Sequence, residues 1–145
     1  MWLVLALGCT DDVTLDDAPR DSATADCDGA APFSLDATAT TPSGVTVGFV
    51  AAVPAPPDVG DNTWTLSLDD GAGAVGGAAP RVIPWMPLHG HGLVPAEYVG
   101  VDAGDGVYDV PLFDLIMPGV WEFSVDLAPV GEAPDAATFT FCAEG

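Results

Sequence analysis

The chain has 145 residues, enough for one domain with a real core. Its 49% hydrophobic content excludes a disordered polymer, and 17 glycines with 14 prolines argue against long helices. Only Arg20 and Arg81 are basic against 22 acidic residues, a net charge of −20 that repels phosphate backbones and excludes nucleic-acid binding.

Residues 1–8, Met-Trp-Leu-Val-Leu-Ala-Leu-Gly, are apolar and uncharged. They are too few to cross a bilayer, which needs ~20 apolar residues. The run ends in Ala6-Leu7-Gly8-Cys9 and turns polar at once with Thr10-Asp11-Asp12. A small residue before a Cys at the end of an apolar run resembles the bacterial lipoprotein signal, in which that Cys becomes the lipidated first residue of the mature chain. No basic segment precedes the run, and its length sits at the short end of the usual ~7–15 residues. The expectation is a signal peptide over 1–8, lipidation at Cys9 and a membrane reached through that anchor. The protein is then exported to the bacterial cell envelope, on the periplasmic or outer-membrane face.

Residues 9–31 read as an acidic flexible tether, with Asp11, Asp12, Asp16, Asp17, Asp21, Asp26 and Asp28 among few large apolar groups. Asp26-Cys27-Asp28-Gly29 starts like a calcium loop but lacks the later ligands and the closing Glu. With Cys9 lipidated, Cys27 and Cys142 remain, and an even pair in an exported protein favours a disulfide between them. Closing so long a loop is worth roughly 4–5 kcal/mol on a chain-entropy argument.

Residues 32–145 form the domain. Val45 to Val50 alternates with period two and is β-branched. Asp61-Asn62 leads into Thr63 to Leu68, with Trp64, Leu66 and Leu68 on one face. Asp69-Asp70-Gly71 is a turn, and Val75 to Ala79 leads into a strand near Pro80 to Met86. Asp102 to Gly106 is another turn, followed by Val107 to Phe113 with Tyr108, Val110 and Leu112 on one face. Pro118-Gly119 turns the chain into Val120 to Leu127, where Trp121, Phe123, Val125 and Leu127 face inward and Glu122, Ser124 and Asp126 outward. Ala137 to Cys142 closes the domain. About seven short strands and no apolar period of 3.6 predict an all-β fold, an antiparallel two-sheet sandwich of the immunoglobulin kind. Trp64, Leu66, Tyr108, Val110, Trp121, Phe123 and Val125 are its expected core.

The stretch Pro84-Trp85-Met86-Pro87-Leu88-His89-Gly90-His91-Gly92 holds both histidines. With Gly106-x-Tyr108 and Met117-Pro118-Gly119-x-Trp121 after it, and Asp61-Asn62 before it, the sequence resembles the YtkA-like domain family over roughly residues 44–142. The ordered set is the specific part; His-Gly-His alone is weak. The resemblance implies a small exported immunoglobulin-like sandwich, often found in lipoproteins and similar to domains of periplasmic copper handling and oxidase assembly. It carries over Met86, His89 and His91, then Met117.

Residue chemistry leads to the same four. His89 and His91, two apart, point to one side of an extended segment. Imidazole binds copper, zinc or nickel, and the thioethers of Met86 and Met117 favour Cu(I). Gly90 and Gly92 permit positive φ, while Pro84 and Pro87 stiffen the approach. The expected function is a membrane-anchored envelope domain that binds a metal, copper first, through a Met/His loop, with a protein partner in metal transfer or envelope assembly. The alternative is a non-catalytic structural or interaction domain without metal. Met86 is then core filler, Met117 packs under Trp121, and each His bonds a backbone carbonyl. Trp85 and Trp121 either shield a Cu(I) ion or are plain core and rim aromatics. No enzyme is expected. Glu97, Asp102 and Asp105 are the acids with a chance of lying near the histidines, but no nucleophile–base spacing is recognisable.

Overall fold

The computed structural model describes residues 27–145. The leader, Cys9 and the tether up to Asp26 lie outside the described residues. Within them there is no helix, and ten strands build two antiparallel sheets of five. The first sheet has the order β1-β2-β3-β8-β7, with β1 Thr38–Thr40, β2 Thr46–Val53, β3 Gly60–Asp69, β8 Val107–Leu115 and β7 Val101–Gly104. The second has the order β10-β9-β4-β5, with β10 Ala136–Ala143, β9 Gly119–Asp126, β4 Arg81–Met86 and β5 His91–Gly92, while β6 Tyr98–Val99 also pairs with β4. The expected sandwich is present. The strands beyond the expected seven include β5, β6 and β7, of two to four residues, too short to carry a period.

All seven expected core residues are buried. The sheets meet through aromatic rings. Trp64 of β3 lies 4.6 Å from Phe123 of β9 and 5.0 Å from Phe113 of β8, centroid to centroid. Phe33, from the segment before β1, fills the seam between the sheets. It stands edge-on to Phe49 of β2 at 5.3 Å and to Phe141 of β10 at 5.0 Å. Such pairs add to the burial of the rings themselves.

One position departs from the expected alternation, and a second keeps its side of the sheet but is buried. On β8, Trp64 faces Val110 and Asn62 faces Phe113, so β8 holds one residue more than β3 between these pairs. This bulge, at Pro111-Leu112, shifts the phase. Leu112 turns out to solvent at 52% exposure, and Phe113 takes its place inside. Proline suits the position because a bulge needs no ladder donor there. On β9, Asp126 keeps the outward side, as register partner of Arg81, yet it is buried there. Its carboxylate accepts from Arg81 Nη2 at 2.6 Å and from the amides of Ala128 and Asp135. Arg81 also reaches Glu97 at 3.2 Å. A carboxylate with this many donors tolerates burial that a lone one would not. Leu127, expected inside, is half-buried.

Cys27 and Cys142 are bridged, with Cα atoms 5.4 Å apart, as expected. Cys142 faces outward on β10, so the bridge fixes the segment ahead of Phe33 against the outer side of the second sheet. The loop it closes spans 115 positions. Replacing both cysteines by alanine therefore lowers unfolding stability by about 2–5 kcal/mol, read as a shift in the denaturant midpoint.

Candidate metal-binding site

The histidine pair is built by a hairpin. β4 ends at Met86, β5 begins at His91, and these two residues are register partners. Residues 87–90 make the turn. Met86 O accepts from His89 N at 3.2 Å and from Gly90 N at 2.9 Å, and Gly90 has φ 68°, a conformation glycine adopts without strain. The expected extended geometry at His89 is therefore replaced by a tight turn. β5 also approaches β4 closely: a Cβ at Gly92 would lie 2.7 Å from Pro84 O.

Register partners present their side chains to the same side of a sheet, so Met86 and His91 share the inner face of the hairpin. Met86 is 1% exposed and belongs to the core. His91 is half-buried and stands edge-on to Trp121, ring centroids 6.0 Å apart. Its Nδ1 lies 3.2 Å from Gly92 O. With Nδ1–H donating to that carbonyl, Nε2 keeps its lone pair for a ligand. His89 is exposed, and its ring lies 5.9 Å from that of His91 at an angle of 52°.

The β8–β9 turn completes this end of the sandwich. Trp121 Nε1–H donates to Met117 O at 3.1 Å, which ties the turn to the ring beside His91. Met117 is half-buried against the core. Gly119, with φ 131°, lies under Met86: a Cβ there would stand 2.7 Å from Met86 Cε. The fold thus brings all four expected residues, 86, 89, 91 and 117, to one end, with Trp121 between the two blocks. Trp85 faces the opposite way, outward and 43% exposed.

Nitrogen–metal bonds of ~2.0 Å place each imidazole centroid about 3.2 Å from a bound ion, so two rings on one ion stand at most about 6.4 Å apart. The 5.9 Å separation lies within that limit. Among the described residues no group of three His, Cys, Asp or Glu side chains is arranged to hold a metal. A thioether from Met117 beside the two imidazoles would make a donor set that suits soft copper better than magnesium or calcium. Met117 is half-buried, whereas Met86 packs as core.

The acids weighed for catalysis lie elsewhere. Glu97 pairs with Arg81, at the far end of β4 from Met86. Asp102 accepts from the amides of Gly77 and Gly104, which hold its carboxyl below the usual range. Asp105 sits in the turn between β7 and β8 with φ 54°.

A family model described as YtkA-like matches residues 41–126, more than half of the chain and every residue of the candidate site. Neither the curated proteins nor the solved structures include a match. The disulfide and β10 lie outside the matched span.

Gly119 is the position where this end is tightest. Gly119→Ala pushes a methyl into Met86 and holds a strained φ, so it lowers stability by about 1–3 kcal/mol in chemical denaturation. Met86→Leu, which conserves volume, costs less than about 1.5 kcal/mol.

Proposed function

The chain belongs to the YtkA-like family, and on that premise we propose that it is an envelope domain whose Met/His end binds a copper ion as cargo. His89 and His91 are the primary ligands, Met117 supplies a thioether, and Met86 supports the site from the core. The observation that carries this reading is the pair of imidazoles 5.9 Å apart beside the Met117 turn. One ligand exposed and one half-buried suits an ion that is accepted and handed on, because an open coordination position permits exchange. Trp121 walls the inner side and keeps water from it. Copper there is bound and transferred rather than used for turnover, so the domain is not an enzyme in this reading.

The domain is exported, and we place it on the membrane through lipid at Cys9. The run of residues 1–8 and the polar sequence after Cys9 support this. A reading without metal is favoured by one observation: Met86 is fully packed, as a core filler would be. That leaves two imidazoles and one thioether as donors, fewer than a closed structural site uses.

Copper titration separates the two. The full chain carrying Cys9→Ser, with Cys27 and Cys142 oxidised, has no free thiol to compete. It is expected to bind one Cu(I), more weakly on acidification because protonated imidazole has no lone pair to give. His89→Ala with His91→Ala abolishes binding, while Met117→Leu weakens Cu(I) and leaves Cu(II) nearly unchanged. Copper binding that survives loss of both histidines refutes the assignment.

The anchor is tested separately by fractionation. The unaltered protein partitions with membranes and detergent, and Cys9→Ser moves it to the soluble fraction.

A further inference from the structure

The second sheet carries an apolar surface on its outer side, at the same end as the Met/His turn. Trp85 is the register partner of Glu122, and Val120 lies two residues further along β9 on that side. Val120 lines an open cavity of ≈ 400 Å³ with Pro87, Leu88 and Asp28. Leu88, at the tip of the turn, is 74% exposed. The Trp85 ring lies over Gly92, its register partner on β5, where a Cβ would come 3.6 Å from its Cε3. An exposed indole three residues before a protruding leucine contributes nothing to the core, and exposed apolar groups gathered at one end in this way mark a contact site.

We propose that this face docks a protein whose contact region is apolar at the centre and rimmed with Lys and Arg. An exposed aromatic anchor with charged groups around it is the usual composition of an interface hot spot. The charge decides between occupants. Glu122 stands beside Trp85 on this side, on a chain of net charge −20. A second copy brings the same acidic surface to the same place, and an anionic leaflet is repelled in the same way. A basic rim is the complement. The surface lies on the opposite side of β4 from Met86 and His91, and it requires no metal.

The test uses metal-free full chain carrying Cys9→Ser, with a short synthetic amphipathic peptide of leucine and lysine as probe, followed by calorimetry. Binding is expected to weaken with added salt and to fall about tenfold or more in Trp85→Ser with Leu88→Ser. Val130→Ser, an exposed apolar position in a loop remote from the patch, retains it. Leu88→Ser alone, at a turn tip where folding is not at stake, gives an intermediate loss. Absent binding, or equal binding by all variants, overturns the proposal. Phosphatidylcholine vesicles bound through Trp85 and Leu88 while the peptide is not bound would assign the face to lipid and overturn it. A dimer in sedimentation that the patch variant lacks would assign the face to a second copy and overturn it equally.

Discussion

Trp64 and Phe123 meet 4.6 Å apart across the gap between the two sheets, and the placement of the histidine turn follows from that contact. Trp64 fixes β3 within the first sheet, and Phe123 fixes β9 within the second. Phe123 is also the register partner of Pro84 on β4 and of Phe139 on β10. Once it is seated, the strand that carries Met86 has its height in the sandwich. Trp121 follows on the same inner face, and its ring becomes the wall against which His91 stands. The candidate site is therefore an extension of the core rather than an addition to a finished scaffold. It sits where the aromatic packing runs out and an imidazole takes the place of another ring.

Local alternation is what the sequence makes legible. Trp64, Leu66 and Leu68, and Trp121, Phe123 and Val125, alternate without interruption, and the structure buries all six. Alternation misleads where the cause lies far along the chain. Leu112 is exposed because β8 takes in an extra residue opposite β3, and nothing in Val107 to Phe113 announces that bulge apart from Pro111. Asp126 stands on the outer side that alternation gives it, but it is buried there because Arg81, 45 positions away, supplies its charge partner. A rule that sends carboxylates outward has no means of knowing this.

The site shows the same division. The His-Gly-His spacing and the two Met-Pro pairs are visible as residue types. Their convergence depends on a register, Met86 with His91, and on a glycine 33 positions after Met86 that admits its methyl group. The turn at His89 is hidden because two histidines separated by one glycine read as extended. Gly90 at φ 68° bends the chain instead. Trp121 is visible as a core residue, but its second role, holding Met117 O through the indole N–H, depends on a four-residue return of the chain.

The pairing of Arg81 has a consequence for how the folded chain meets a protease. Among the described residues Arg81 is the only lysine or arginine, and so the only bond a trypsin-like enzyme can address there is the one to Val82. That bond lies inside β4, between β9 and β6, with the guanidinium held by Asp126 and Glu97. A protease needs an extended segment free of its neighbours, which here means unzipping the second sheet. The composition that leaves the domain so acidic thus leaves it nearly closed to trypsin-like enzymes while folded, and the rate of that single cleavage follows how much of the time the sandwich stands open.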